Sequence, residues 1–317
     1  MALVDIDALY GAVVETLPPE LRLSARELPY HLRLAPGPTV GWSEVFNHEV
    51  TLHAPAVFAE AMPTAAPSQV RDAVLAHMLA VIEAFGTDRI HDGQIEDRGV
   101  LRDVLAYLRL ARDRAILRLT DELDPYGASD RETRDAILAE RAMLNRAEVA
   151  SFPQYQAISL GKQSVGFPAT LALARVAGWD GRRVAVLERA LAGVWLGLQF
   201  EDDVLDWEDD WRRGGAWAVC LARGLRIEMR SRERPTVPNA LQRYVLESGV
   251  LPRMLTAARR EYRALQRRAL VLGARRLAAW AEQRERHVAS LARMETKHAG
   301  YVLRMQRLAP WASVVLR

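Results

Sequence analysis

The sequence predicts an all-α fold, and three observations support this. Apolar residues recur at the spacing of a helix face through most of the chain, and no stretch alternates apolar and polar residues for long enough to predict a strand. No repeat of roughly 20–50 residues is present. Eight of the 15 prolines fall within the first 67 residues, which predicts short helices and irregular connections there because proline breaks helix interiors. We therefore expect a proline-rich segment over 1–67 and an α-helical domain over 68–317, the two forming one domain.

The individual helices are predicted from apolar periodicity and from the residues that begin and end helices. Ser68, after Pro67, is a good N-cap for a helix that runs to about Phe85-Gly86. Ser129-Asp130-Arg131-Glu132 has the pattern of a capping box. The 181–211 helix is apolar on all sides over most of its length, which indicates burial. The other predicted helices span 97–122 and 165–178, with a short helix after Gly214-Gly215 and a long helical stretch from about 237 to 306.

The composition excludes several classes of protein. The chain has 317 residues, with 43 Lys+Arg, 40 Asp+Glu and a formal net charge of +3, so its overall charge does not predict nucleic-acid binding. The single cysteine, Cys220, excludes an internal disulfide and is typical of a reducing compartment. The first residues lack the basic region of a secretory signal, and no uncharged apolar run of roughly 18 residues predicts a membrane span. We expect a cytoplasmic protein without a transmembrane segment.

Two acidic segments carry the functional prediction. Asp88 and Asp92 are four residues apart, and Asp202, Asp206 and Asp210 repeat that spacing over two further turns. Carboxylates four residues apart lie on one helix face and repel each other. A hard divalent cation, which takes carboxylate and water oxygens as ligands, would remove that repulsion. We therefore expect the two segments to face each other across a helical bundle and to hold Mg²⁺ for a diphosphate substrate.

The second segment ends a buried helix abruptly. It has seven carboxylates within ten residues, and clustering such groups is unfavourable unless a cation pairs with them. Its members are Glu201, Asp202, Asp203, Asp206, Glu208, Asp209 and Asp210. The alternative to a metal site is pairing with arginines such as Arg182, Arg212 and Arg213 as surface salt bridges.

Several short stretches resemble the class I isoprenoid synthase superfamily, which includes trans-polyprenyl diphosphate synthases and terpene cyclases. Leu198-Gln199-Phe200-Glu201-Asp202-Asp203-Val204-Leu205-Asp206 is similar to the second aspartate-rich motif of that superfamily. Gly161-Lys162-Gln163-Ser164 resembles the lysine-containing segment that precedes it in polyprenyl synthases. Asp88-Arg89-Ile90-His91-Asp92 resembles a degenerate first motif, with Arg89 where a second aspartate usually stands. The likeness is detailed over about 160–213 and loose over 70–98.

This resemblance implies a single-domain helical bundle of the class I terpenoid synthase type with a central active-site cavity. It implies an allylic prenyl diphosphate substrate and a cluster of up to three Mg²⁺ ions. Asp88, Asp92, Asp202 and Asp206 would be the catalytic metal-binding aspartates. The full set of metal ligands expected on this basis is Asp88, Asp92, Asp202, Asp203, Asp206 and Asp210.

Other residues are assigned to the substrate. The resemblance implies that Lys162 contacts the diphosphate, since a compact ammonium suits a phosphate oxygen. Arg212 would close over the diphosphate or simply balance the neighbouring acids. Four aromatic residues would line a cavity that stabilises a carbocation through ring faces, although an apolar core explains each of them as well. These are Phe85, Phe167, Trp195 and Phe200.

Departures from the family pattern favour a terpene cyclase as the first interpretation. Chain-elongating synthases usually carry paired arginines after a longer first motif, whereas Arg98 and Arg102 stand unpaired here. A cyclase ionises one allylic diphosphate, releases diphosphate and needs no second site. The alternative is a prenyltransferase or polyprenyl diphosphate synthase that condenses two prenyl diphosphates. Arg89 also leaves open altered metal binding and a repurposed member.

A different class of function is a non-catalytic helical protein that binds nucleic acid or another protein. The arginine-rich regions 223–234 and 256–286 suggest it, but glutamates are interspersed there as on a solvated helix face. We expect a small isoprenoid diphosphate, and no nucleic acid, as the partner. A homodimer is compatible with the sequence. Prenyl chain length and the cyclic or linear nature of the product are not predicted.

Overall fold

The structure is a computed structural model that describes residues 4–46, 48–91, 93–96, 98–122, 124–224 and 238–315. These residues form α-helices and connections, with no strand in the described ranges. The predicted all-α class is confirmed. The chain divides into two compact units, each assembled from separate segments. Unit 1 comprises Met1–Leu138, Leu160–Ala192 and Gln266–Ala279, and unit 2 comprises Ala139–Ser159, Gly193–Leu265 and Trp280–Arg317.

Five short helices form the proline-rich segment, which lies wholly in unit 1. Pro19 begins its helix, where its missing N–H costs no hydrogen bond. His53 has non-helical backbone angles just before Pro55, and the helix kinks there because proline cannot complete the backbone ladder. These helices are α1 (Ile6–Val14), α2 (Pro19–Arg26), α3 (Leu28–His31), α4 (Trp42–Val45) and α5 (Glu49–Ala59).

Longer helices follow, and α6 (Pro67–His91) runs one turn past its predicted end at Phe85-Gly86. Gly86 is a packing residue: a Cβ there would lie 2.7 Å from Leu105 Cδ2. Asp88 consequently stands in the last turn of α6. The next helices are α7 (Gly99–Ile116), α8 (Gly127–Arg146), α9 (Phe152–Lys162), a 3₁₀ turn (Ser164–Gly166) and α10 (Pro168–Val176).

The predicted 181–211 helix is two helices, α11 (Gly181–Leu205) and α12 (Trp207–Arg213), which meet at Asp206. Asp206 has φ −107° and ψ 8°, outside the helical region. The backbone hydrogen bonds nevertheless continue, from Asp206 N to Asp202 O and from Asp210 N to Asp206 O, each at 2.9 Å. The spacing of the three aspartates thus survives the break.

The predicted short helix after Gly214-Gly215 is α13 (Trp217–Gly224). The predicted stretch over 237–306 is three helices, α14 (Pro238–Ser248), α15 (Val250–Leu272) and α16 (Arg275–Val315). Gly249 and Gly273 separate them with φ of 66° and 89°, a left-handed conformation that ends helices and favours glycine. Apolar periodicity continues across both glycines, which is why the sequence did not resolve the breaks.

In unit 2, aromatic residues pack the interior around the end of α11. Tyr155 of α9 lies 5.3 Å from the Phe200 ring and 4.9 Å from the Trp217 ring, centroid to centroid. Gly197 lets α11 approach α15 closely, since a Cβ there would lie 2.7 Å from the Tyr262 ring. The Tyr155 and Tyr262 side chains are both fully buried.

Candidate functional site

The first acidic segment is partly described. Asp88 lies beside Lys162 in unit 1, with Oδ2 3.9 Å from the lysine Nζ. Its other oxygen, Oδ1, is buried and accepts no hydrogen bond from the described residues. Both side chains are mostly buried, so this carboxylate has lost water without fully replacing it. Asp92 lies outside the described residues.

Arg89 occupies the position that distinguishes this segment from the usual motif. Its Nη1 donates to the main-chain oxygens of Leu32 at 3.1 Å and Arg33 at 3.5 Å. These oxygens belong to the end of α3, where a cation is favoured by the helix dipole. Arg89 therefore ties α6 to the proline-rich segment.

A pocket opens in unit 1, between α6, α7, α8 and the 3₁₀ turn. It has about 540 Å³ of empty space, its open mouth included. Apolar side chains form much of the wall, and charged or hydroxyl-bearing side chains form the rest. The lining residues are Glu83, Ala84, Thr87, His91, Arg109, Asp130, Thr133, Arg134, Ile137, Leu138 and Val165. Thr133 Oγ1 also donates to the carbonyls of Gly161 and Lys162, at 3.2 and 3.4 Å, and so connects the pocket to the lysine segment.

A buried ion network forms the polar part of this wall. Arg112, 1% exposed, donates from Nη1 and Nη2 to the two carboxylate oxygens of Asp130 at 2.8 and 2.9 Å, and its guanidinium lies 4.2 Å from the Tyr126 ring centroid. Arg109 is 3.0 Å from Glu83. Burial raises the pKa of Glu83, while Arg109 and Arg112 oppose the rise. This network was not predicted from the sequence, although the sequence contains one signal of it. Arg112 stands four residues from both Leu108 and Ile116, in line with the buried face of α7.

The second acidic segment contains three aspartates at a spacing of four residues, Asp202, Asp206 and Asp210, which we call the ladder. Asp202 and Asp206 are exposed and Asp210 is partly buried. Burial raises the pKa of Asp210 to about 7, the charges of Asp202 and Asp206 add to the rise, and Arg213 opposes it. The three carboxylates are therefore close enough to repel each other, which is the condition under which a cation is stabilising.

Asp203 departs from the expected ligand set. It is 6% exposed. The Tyr155 hydroxyl donates to Oδ2, and Gln199 Nε2 donates to Oδ1 at 3.0 Å. Burial raises the pKa of Asp203 well above its usual value, with the Tyr155 hydrogen bond opposing. This carboxylate faces the protein interior, whereas Asp202 and Asp206 face solvent.

Arginines pair with the later acids of this segment. Arg212 bonds to Asp209 and lies 3.5 Å from Glu208. Arg213 lies 3.7 Å from Asp209 and 3.8 Å from Asp210. Arg212 is exposed, so its contact with a diphosphate stays a prediction. The salt-bridge alternative therefore applies to Glu208, Asp209 and Asp210.

The four predicted substrate-contacting aromatics have different environments. Trp195 and Phe200 are buried in unit 2, at 4% and 0% exposure, and Phe200 packs with Tyr155 and Phe152. Phe85 and Phe167 are partly buried in unit 1, and Phe85 meets the Phe46 ring edge-on at 5.2 Å. Phe200 thus has the surroundings of a core residue.

The donors fit magnesium better than any softer metal. Among the described residues, no three His, Cys, Asp or Glu side chains already form a group that could hold a metal ion. Mg²⁺ usually keeps several waters and binds through one or two carboxylates together with substrate phosphates, so a complete protein cage is not required. The exposed Asp202 and Asp206 suit that mode. The buried Asp88 Oδ1, which accepts no hydrogen bond within the described part of the chain, suits it as well. Asp88 belongs to unit 1 and the ladder to unit 2. That the two acidic segments face each other therefore stays a prediction from the sequence.

Comparison with known proteins identifies the fold. No protein-family model and no curated protein sequence matches the chain. Several solved structures do match, two of them as follows. A polyprenyl synthetase from Streptomyces coelicolor A3(2) matches with a TM-score of 0.69 and 18% identity, over 87% of this chain and 95% of that one. A polyprenyl synthase from Caulobacter crescentus CB15, complexed with calcium and isoprenyl diphosphate, matches with a TM-score of 0.58 and 16% identity, over 86% and 97%.

These matches cover most of both chains. In addition, no helix among the described residues is long and apolar enough to cross a membrane. The resemblance to the class I isoprenoid synthases that the aspartate-rich segments predicted is confirmed at the level of the fold: this chain has the all-α fold of the polyprenyl synthases.

Proposed function

We propose that this protein is a divalent-metal-dependent enzyme that uses prenyl diphosphates, and that it is a polyprenyl diphosphate synthase. The observation that carries the proposal is the fold likeness to two polyprenyl synthases over 87% and 86% of the chain. The aspartate ladder at the end of α11 supports it with the donor chemistry that a metal-bound diphosphate requires. The calcium and isoprenyl diphosphate in one of these relatives support the same class of ligands.

The proposal favours condensation over cyclisation, which was the first interpretation from the sequence. That interpretation depended on the missing arginine pair after the first acidic segment, and Arg98 is indeed engaged with Glu96 at 3.1 Å. Both solved relatives, however, are polyprenyl synthases, and their likeness favours transfer of an allylic prenyl group to a second prenyl diphosphate.

The residues have separate roles in this proposal. Asp202, Asp206 and Asp210, with Asp88, would hold Mg²⁺, which neutralises the charge that develops on the departing diphosphate. Lys162 would exchange its 3.9 Å contact with Asp88 for a phosphate oxygen. The apolar wall formed by Ile137, Leu138 and Val165 would exclude water from the allylic carbon. In the reaction the carbon–oxygen bond to diphosphate breaks, the alkene of the acceptor forms the new carbon–carbon bond, and a proton leaves the acceptor.

Incubation with prenyl diphosphates of increasing length tests this proposal. Geranyl, farnesyl and geranylgeranyl diphosphates are each supplied with and without isopentenyl diphosphate, and with Mg²⁺ or a chelator, followed by mass spectrometry. We expect a longer prenyl diphosphate only when isopentenyl diphosphate and Mg²⁺ are both present. A hydrocarbon or alcohol from one donor alone would instead establish cyclisation.

The non-catalytic interpretations make different predictions. A nucleic-acid-binding protein would bind duplex DNA with a steep dependence on salt concentration. A scaffold would turn over no prenyl diphosphate, and Asp202→Ala would alter only its stability. Either result would contradict the proposed function.

A further inference from the structure

We propose that Asp203 is a positioning residue, held by Tyr155, that orients the metal-binding aspartates on either side of it. The inference deepens the proposed function and rests on it, because it concerns the same diphosphate site. It removes Asp203 from the ligand set that the sequence predicted and adds Tyr155 and Gln199 to the residues on which the site depends.

The contacts of Asp203 show why it does not reach a metal. Both of its carboxylate oxygens accept hydrogen bonds, Oδ2 from the Tyr155 hydroxyl and Oδ1 from Gln199 Nε2 at 3.0 Å. Its side chain is buried in unit 2, and Tyr155 is buried completely. Because the side chain is buried, a ligand role would require the carboxylate to turn outward and break its bond to Tyr155. That leaves a buried tyrosine hydroxyl without this partner, at a cost of about 1–3 kcal/mol.

Tyr155 is itself fixed by rigid neighbours. Its ring packs against Phe152 at 5.8 Å, Phe200 at 5.3 Å and Trp217 at 4.9 Å. Trp217 in turn donates from Nε1 to Glu140 at 2.7 Å. The hydroxyl of Tyr155 is therefore a fixed point against which the end of α11 can be oriented.

Because the residues share one helix, the orientation of Asp203 also fixes the directions of the neighbouring aspartates. Successive residues of an α-helix point about 100° apart, so an inward Asp203 directs Asp202 away from the core. Asp206 lies four residues after Asp202 and shares its direction. Asp203 stands only three residues before Asp206, where the backbone leaves the helical region between α11 and α12. Without the hydrogen bond between Tyr155 and Asp203, the end of α11 would hold Asp202 and Asp206 in several orientations.

Binding of magnesium pyrophosphate tests the inference without requiring turnover. Titration calorimetry is performed on the full chain with inorganic pyrophosphate in excess Mg²⁺, and each variant is also unfolded thermally. Asp202→Asn and Asp206→Asn should weaken binding by more than about 10-fold because they remove ligand charge. Tyr155→Phe should weaken it by about 10-fold because supporting hydrogen bonds of metal ligands typically contribute 10–100-fold. Asp203→Asn, which keeps an acceptor for Tyr155, should stay within about threefold of the wild type.

Tyr244→Phe is the matched control, because this buried tyrosine of unit 2 has a hydroxyl without a hydrogen-bond partner among the described residues. It should bind as the wild type does. The inference is overturned if Asp203→Asn weakens binding as strongly as Asp202→Asn, which would make Asp203 a ligand. It is also overturned if Tyr155→Phe lowers the melting temperature while leaving affinity unchanged, which would make the pair purely structural.

Failure of the proposed function gives a different result. A wild-type chain that binds magnesium pyrophosphate but makes no prenyl product contradicts the synthase proposal alone, and the ranking of variants still decides the role of Asp203. A wild-type chain that binds no magnesium pyrophosphate overturns both.

Discussion

The two units treat their carboxylates in opposite ways. In unit 1, Glu83 is buried and Asp130 is partly buried against Arg109 and Arg112, and each acid has a cation within 3.0 Å. In unit 2, Asp202 and Asp206 are exposed, and Asp210 has its nearest described arginine, Arg213, 3.8 Å away. In unit 1 the protein's own arginines neutralise Glu83 and Asp130. In unit 2 the carboxylates lie close enough together for Asp202 and Asp206 to add to the rise that burial causes in the pKa of Asp210.

This difference separates structural acids from candidate ligand-binding acids. A buried ion pair stabilises little overall, but breaking it by removing one partner is severe because the remaining charge is left unpaired. A set of exposed like charges contributes nothing favourable to the fold and is stabilised by an added divalent cation. Substitutions in unit 1 should therefore alter stability, and those in the ladder should alter activity. Substitutions in each unit test this division.

Arg112→Met should lower the free energy of unfolding by about 3–5 kcal/mol, because it leaves Asp130 and Glu83 with a buried charge that is only partly compensated. Urea denaturation measures the change. Arg118→Met is the control, since Arg118 pairs with Asp72 at 2.7 Å while half exposed, and surface pairs are worth at most about 1 kcal/mol. Equal losses in the two variants would contradict the structural role of the network.

Asp206→Asn should reduce prenyl diphosphate turnover by about 100-fold or more, equivalent to about 2.7 kcal/mol of barrier, with little change in stability. The reason is that a bound divalent ion supplies several kcal/mol of charge stabilisation. Steady-state kinetics at saturating Mg²⁺ measure the effect. Asp209→Asn, which alters an exposed acid already bonded to Arg212, should retain activity. Turnover within threefold of the wild type for Asp206→Asn would place the ligands elsewhere.

Gly197→Ala should cost about 1–3 kcal/mol of stability through overpacking, because its Cβ would lie 2.7 Å from the buried Tyr262 ring. Gly86→Ala in unit 1 is the matched comparison. Its Cβ would meet the two terminal methyls of Leu105 at 2.7 and 3.0 Å. The end of a leucine side chain shifts more easily than a tyrosine ring, and alanine gains about 1 kcal/mol of helix propensity. Thermal unfolding should rank Gly197→Ala clearly below Gly86→Ala, and the reverse order would be evidence against a rigid contact between α11 and α15.

Asp210→Asn should become more stable relative to the wild type as the pH rises from 4 to 8. The pKa of Asp210 in the folded chain is about 7, above its ordinary 3.8, so the folded chain keeps a proton that the unfolded chain has released. The stability this proton confers is complete below pH 4 and is lost as the pH approaches and passes 7. We expect a difference of about 1 kcal/mol at pH 8, reduced from the full shift because the side chain is a third exposed.

Urea unfolding of both proteins in a chelator at pH 4.5 and pH 8 measures this difference. Adding Mg²⁺ at pH 8 should remove it, because the ion would stabilise the ionised wild-type ladder. A difference that stays the same at both pH values would show that Asp210 is not destabilised by its neighbours.

Local features of the chain predicted much of this architecture. Helix faces depend on residues three and four apart, so apolar periodicity found most of the helices without knowledge of their partners. The ladder Asp202, Asp206 and Asp210 is likewise a matter of spacing, and the structure preserves it even though α11 ends at Asp206. The aspartate-rich resemblance, also a local pattern, indicated the fold to which the solved structures point.

The tertiary structure alone decided which charges are buried and with what partners. Asp203 and Asp202 are adjacent and chemically identical, yet one accepts hydrogen bonds from Tyr155 and Gln199 in the interior and the other is exposed. Tyr155 is 48 residues away along the chain, and Arg112 lies 18 residues from Asp130. Spacing along a helix depends on backbone geometry that every residue shares, whereas burial depends on distant segments that pack together, and no local pattern encodes which ones do.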